Sequence, residues 1–175
     1  MAILEIRTLG DPILKSRAAE VTTFDAELAR LVDDMLETMR AAPGVGLAAP
    51  QVGRLIRMFV WDDAEDHGAM VNPKITWFSE ETEEAEEGCL SVPGFYFPVA
   101  RSVSVKVRAR RPDGTHVDVT AEGFRARVFQ HEIDHLDGIL FIDRLAPDLR
   151  KEAMRNLRDH DFGMSPPPSK PAKTL

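Results

Sequence analysis

His131 and His135 stand four residues apart, with Glu132 beside the first. On a helix, positions i and i+4 lie one above the other, so two imidazole nitrogens can meet one metal ion. Glu132 then sits within reach of a water at that ion, an arrangement that recurs in hydrolytic metal sites. The bland alternative is an ordinary helix with two buried histidines bonded to carbonyls. A catalytic site usually takes three protein ligands and keeps one position open. Cys89, the only cysteine, is the natural third, although a lone cysteine is more often a small buried hydrophobe. One thiolate and two neutral imidazoles would bring a divalent centre to a net charge of about +1 and still acidify water. The chemistry is then attack of that water on a carbonyl carbon. Glu132 takes the proton and passes it to the departing amine. The oxyanion needs donors; the side-chain amide of Gln51 and the backbone amide of Leu90 are candidates.

Several elements must bring these residues together. The pattern predicts a helix from Ala121 or Glu122 to Leu136, with Phe124, Val128, His131 and His135 on one inward stripe. Asp137-Gly138 ends it. An earlier helix is predicted from Asp25 to Ala41, because Leu28, Leu31, Val32, Met35, Leu36 and Met39 recur at three and four. Thr22 or Thr23 is its expected cap, with Glu27 closing a capping box. Before it, Ile3, Leu4, Ile6 and Leu9 form an extended arm that bends at Gly10-Asp11-Pro12. Gly44-Val45-Gly46-Leu47-Ala48-Ala49-Pro50-Gln51 is small enough for a backbone to approach something closely. It lacks the lysine and hydroxyl of a phosphate loop.

Ile56 to Trp61 reads as a strand, followed by an acidic turn from Asp62 to Gly68. Ile75, Trp77 and Phe78 suggest another strand, with Pro73 at its start or on an edge. Glu80 to Glu87 holds six glutamates, a solvated surface except for Glu87, which abuts Gly88-Cys89-Leu90-Ser91. Phe95, Tyr96 and Phe97 line a peptide groove or form a lid over the core. Val103, Val105 and Val107 alternate with polar residues as a half-buried strand. Pro112-Asp113-Gly114 turns into a partner strand carrying Val117 and Val119. Ile139 to Ile142 is expected as a short closing strand. A charged, lightly packed helix should run from Pro147 to Asp159 with Leu149, Met154 and Leu157. Residues 1–160 form one catalytic domain, and the Pro/Lys-rich stretch 161–175 is a flexible tail.

The 175-residue chain has a net charge of -7, which weighs against a nucleic-acid partner. Arg108, Arg110 and Arg111 alternate with small residues as a wet strand face. A single cysteine makes an intrachain disulfide impossible and fits a reducing compartment. No signal peptide is recognisable in Met1 to Gly10, and no window is apolar enough to span a membrane.

Three separated blocks resemble the signatures of the peptide deformylase family. They are Gly44 to Gln51; Glu87-Gly88-Cys89-Leu90-Ser91; and Gln130-His131-Glu132-Ile133-Asp134-His135-Leu136-Asp137-Gly138. Gly10 to Leu14, Asn72-Pro73 and the run to Leu145 match as well, so the likeness covers roughly residues 1 to 150. The resemblance implies that Cys89, His131 and His135 are the metal ligands and Glu132 the catalytic acid/base. Gln51 and the Leu90 amide would steady the formyl oxygen, and the Gly46 carbonyl would hold the formyl NH. Val45, Phe124 and Val128 would wall the methionine pocket, with Arg127 at its rim and Gly88 also on the substrate side. Arg101 stands where the family has an arginine that pairs with the glutamate of the cysteine block, here Glu87. Phe95-Tyr96-Phe97-Pro98 is bulkier than the matching stretch in many members.

The implied fold is α+β in a single domain: antiparallel or mixed sheets packed around a central metal-binding helix, with an N-terminal and a C-terminal helix. The implied reaction removes the N-formyl group from the N-terminal methionine of nascent polypeptides and releases formate. One divalent metal per chain is expected, Fe2+ natively, with Zn2+, Ni2+ or Co2+ in purified protein. Implied partners are N-formylmethionyl peptides and nascent chains, with ribosome association possible. A cytoplasmic bacterial monomer is expected, with no direct nucleic-acid recognition and no membrane. The rival classes are another metallo-amidohydrolase or deacylase, and a non-catalytic, metal-stabilised protein. The last needs a fourth protein ligand, yet no second cysteine exists, and His67, His116 and His160 lie outside the blocks.

Overall fold

The computed structural model describes residues 2–160 and 175; apart from Leu175, the expected tail lies outside the described residues. The chain is α+β. Helix α1 (Ala26–Ala41) precedes strands β1 (Gly46–Ala48), β2 (Met58–Asp62), β3 (His67–Phe78), β4 (Thr82–Cys89), β5 (Val92–Ser102), β6 (Ser104–Arg110) and β7 (His116–Glu122). Helices α2 (Gly123–Leu136) and α3 (Pro147–Arg158) follow. One sheet has five strands in the order β1-β2-β3-β6-β7, and β4 and β5 form a second sheet by themselves. Every named pairing is antiparallel.

Strand β2 explains how two helices share one sheet. Its residues alternate in direction, as any strand's must. Phe59 and Trp61 enter the cluster that holds Val128, Phe129 and Ile133 of α2. Met58 and Val60 enter the cluster that holds Leu28, Val32, Met35 and Met39 of α1. Both faces are covered, so the sequence is apolar without alternation. Phe59 and Trp61 meet the Phe129 ring edge-on at 5.4 and 5.2 Å, a geometry that adds to simple burial. A third cluster joins Cys89, Val92, Phe97 and Val99 of the small sheet to Leu140, Phe141, Ile142, Ala153 and Leu157.

Some expected details differ. Asp25, not Thr22 or Thr23, caps α1: its carboxylate accepts from the Glu27 and Leu28 amides, both at 3.0 Å. A cap adjoining the first turn reaches two orphan donors that a more distant threonine cannot. Pro73 lies inside β3, between β2 and β6, at a register shift spanning Val71 to Lys74. A bulge frees the proline from donating. Asn72 beside it has φ of 51°, and its side chain bonds the Val21 amide and carbonyl, each at 2.8 Å. The six-glutamate stretch is largely exposed, as expected, yet most of it is strand β4.

Residues Ile139 to Ile142 do not form a closing strand: Phe141–Arg144 is a 3-10 turn. Asp143 folds back to accept the Leu140 amide at 3.0 Å, and the apolar side chains enter the third cluster. A short apolar run looks the same in sequence whether it is extended or turned. In α3, Ala153 and Leu157 are buried, whereas Met154 is exposed. Phe97 is buried in the third cluster, and Phe95 is partly covered against it.

Candidate metal centre

Helix α2 carries the centre and is buried on every side from Ala126 to Leu136. Gln130 ties it to β5: its amide donates to the Ser102 carbonyl at 2.9 Å, and its oxygen accepts the Ser102 amide at 3.2 Å. At its end, the Ala18 amide donates to the Leu136 carbonyl at 2.9 Å. Gly138, with φ of 73°, lets the chain leave. A Cβ there would lie 2.6 Å from the Lys15 carbonyl oxygen. The arm between Ile3 and Leu9 is held by the Gln51 and Ser91 carbonyls, which accept from the Arg7 and Leu9 amides at 2.7 and 2.8 Å.

The structure brings the three predicted ligands together. Cys89 Sγ, His131 and His135 offer ligand atoms that all lie within 4.8 Å of one another, and all three residues are buried. Cys89 Sγ is 3.3 Å from His135 Nε2. Ligands on a tetrahedral ion with bonds of about 2.1–2.3 Å sit roughly 3.4–3.6 Å apart, so the spacing fits. His131 Nδ1 faces Glu87 Oε1 at 2.9 Å. Since Glu87 accepts, the proton sits on Nδ1 and the Nε2 lone pair points inward. That Nε2 is buried with no hydrogen-bond partner among the described residues, as expected of an atom reserved for a metal. Among the described residues, no fourth protein ligand joins the cluster.

Electrostatics agree with this assignment. Burial pushes the Cys89 thiol up to about 12, with the Glu132 charge adding to the rise. Burial, then the neighbouring His131, holds His135 well below the ordinary imidazole range, so it stays neutral. A buried thiolate requires a cation, and a coordinating divalent ion deprotonates a thiol outright. The residues present therefore fit such an ion.

Glu87 and Glu132 flank the centre. For Glu87, burial alone would raise the pKa, but bonds from His131 and Arg101 outweigh it and hold the carboxyl well below the ordinary range. Arg101 grips it through Nε at 2.9 Å and Nη2 at 3.0 Å, the pairing expected of that arginine. Arg127 adds a contact at 2.7 Å. Arg127 also donates to the Val99 and Glu83 carbonyls; it is buried and not at a rim. Asp134 accepts from Arg101 at 2.7 Å and from Arg144 at 2.7 and 3.1 Å. Among the described residues, Glu132 has no hydrogen-bond partner at either carboxyl oxygen. Burial, then repulsion from Glu87, raises its pKa well above the ordinary value. Gly46 makes room for it, since a Cβ there would collide with the Glu132 carboxylate.

Gln51 is fully buried. Its amide nitrogen donates to Cys89 Sγ at 3.6 Å and Ser91 Oγ at 3.1 Å, and its oxygen accepts the Ala48 amide at 2.8 Å. Val45 and Val128 are buried, and Gly88 is buried beneath the Tyr96 ring. Phe124 is 47% exposed in the first turn of α2, so it leaves the inward stripe. A helix stripe faces the core only where something lies opposite. The Leu90 amide donates to the Leu175 carbonyl at 3.3 Å. Sequence reasoning gave no role to Ser91, Asp134 or Arg144. Asp134 lies one turn from His131 inside the histidine block and Ser91 closes the cysteine block, both detectable signals; Arg144 gave none.

Comparison with known proteins places this arrangement. The profile of the family described as polypeptide deformylase matches residues 3–151. A peptide deformylase of Parafrankia sp. is 47% identical over 170 residues, 97% of this chain and 93% of that protein. The crystal structure of the Thermotoga maritima peptide deformylase is similar at a TM-score of 0.82 and 48% identity, covering 84% of this chain and 100% of that one. A Synechococcus elongatus peptide deformylase, solved in complex with actinonin, gives a TM-score of 0.85 at 37% identity over 95% of this chain and 94% of that one.

Proposed function

This chain belongs to the peptide deformylase family, and on that premise we propose a role for each residue of its centre. The enzyme is a metal-dependent amidohydrolase that removes the N-formyl group from nascent polypeptides. Cys89, His131 and His135 would hold one divalent ion, which would supply Lewis acidity for hydrolysis of the amide. Ferrous iron is the native ion in this proposal, with zinc, nickel or cobalt able to take its place.

Glu132 removes a proton from the attacking water and delivers it to the departing amine. Burial and the Glu87 charge raise its pKa, which makes the carboxyl a better proton acceptor than an ordinary glutamate and lets it hold the proton until the amine departs. The Gln51 amide and the Leu90 amide donate to the oxyanion. Gln51 already directs one N–H at Cys89 Sγ, so an oxygen beside the sulfur meets a donor fixed by Ala48 and Ser91. The Gly46 carbonyl accepts the formyl NH. Val45 and Val128, with Phe124 at the mouth, surround the methionine side chain, whose burial contributes about 2 kcal/mol. Gly88 lies on the substrate side. Arg127 acts from behind, through Glu87, and not at the pocket rim. Residues 1–160 form the catalytic domain, which works as a cytoplasmic monomer on chains emerging from the ribosome.

The observation that carries this assignment is Glu132, buried, without a hydrogen-bond partner among the described residues, and next in sequence to a ligand of the three-residue cluster. Chelating the metal should abolish formate release from formyl-Met-Ala-Ser, and anaerobic addition of ferrous iron should restore it. Undiminished turnover by metal-free protein would refute the assignment.

A further inference from the structure

Leu175 is 2% exposed and joins the buried cluster that contains Val45, Ala48 and Val128. Its carbonyl oxygen accepts the Leu90 amide proton at 3.3 Å. A side chain among the proposed pocket walls and a carbonyl on the proposed oxyanion donor are what a formylmethionyl end would present. We propose that Leu175 is an internal occupant of the substrate site, competing with formylated chain ends for it. This rests on the assignment of Leu90, Val45 and Val128 given above.

The chemistry of the contact supports the occupant. Leucine and methionine exchange readily in apolar sites because their volumes are close. Reach poses no barrier: fifteen residues from His160 span up to about 50 Å when extended. The contact is weak by its own geometry, since 3.3 Å is long for an amide bond to oxygen. Tethering offsets that weakness, because a linked group faces its site at an effective concentration on the order of millimolar. A fragment of millimolar affinity would then be bound part of the time. The result is a displaceable competitor that raises KM about two- to tenfold.

Kinetics on the iron-loaded enzyme with formyl-Met-Ala-Ser provide the test. Removing residues 161–175, or making Leu175→Asp, should lower KM about two- to tenfold with kcat unchanged. Leu175→Met should retain the full-length KM. Methyl NMR of Leu175 in the metal-free protein provides a second readout. Saturating Met-Ala-Ser should move its methyl resonances to those of an exposed leucine. Unchanged KM in both the deletion and Leu175→Asp, or methyls indifferent to the peptide, would overturn the proposal. A full-length, iron-loaded enzyme that released no formate would count against the proposed function instead, and the NMR displacement would still decide the place of Leu175.

Discussion

Glu87 and Glu132 are both buried beside one metal centre, and they are opposites. Glu87 is saturated: two arginines and a histidine ring meet its oxygens. Glu132 has no hydrogen-bond partner among the described residues. The first carboxyl is held ionised and the second is pushed toward protonation. A saturated charge is locked and can only position its neighbours. An unsatisfied one costs free energy in the resting fold, and a site retains that cost where the group must change state during a reaction. The Glu87 side of the centre is therefore framework and the Glu132 side is reactive.

Substitutions can break or sharpen this contrast. The largest effect is expected at Glu87. Glu87→Ala leaves Arg127 buried without a carboxylate and Arg101 with Asp134 alone, and should cost about 3–5 kcal/mol. Urea unfolding with metal analysis measures this, and a loss below about 1 kcal/mol would show that the network is not framework. Glu132→Ala should do the reverse, cutting turnover about 100-fold or more while metal binding persists. Its stability should equal or exceed the parent's, because an unpartnered carboxyl is gone; clear destabilisation would erase the contrast.

Smaller effects calibrate it. Asp63 is bonded by Arg125 at 2.6 and 3.1 Å, and that bond holds its pKa below the ordinary value against the opposing effect of burial. The stabilisation is present above the unfolded pKa of roughly 3.9 and fades as pH falls through the folded value. Asp63→Asn should cost about 1 kcal/mol at neutral pH, given solvent screening, and flatten the acid limb of the stability profile. An unchanged limb would assign the acid sensitivity elsewhere. Arg108 meets Asp118 at 3.0 Å with both side chains largely exposed. Arg108→Ala should change stability by less than about 0.5 kcal/mol, and a larger change in thermal unfolding would mean that exposure is a poor guide here.

What could be read in the sequence follows from how local each feature is. The histidine pair was legible because helical spacing alone stacks positions four apart. Cys89 was legible by elimination. The two faces of β2 were hidden, since a run apolar on both sides has no period. Arg127 carried no local mark of its destination, which lies 28 to 44 residues away on the small sheet. The same holds for the isolation of Glu132, which is a property of surrounding atoms and of no motif. Phe124 fitted the stripe by spacing, yet spacing does not say where the opposing layer stops.

The two sheets share no ladder, yet the ligand atoms come from both sides of that divide. Cys89 ends a strand of the small sheet, and the imidazoles project from the helix packed on the large one. An ion bound there is a rivet through two plates that otherwise join at one edge, where β3 runs on toward β4 and β5 toward β6. Withdrawing it should let the smaller plate breathe first: amide exchange should quicken along Thr82–Ser102 before it does in Met58–Phe78. Uniform acceleration across both would mean that the plates are fastened elsewhere.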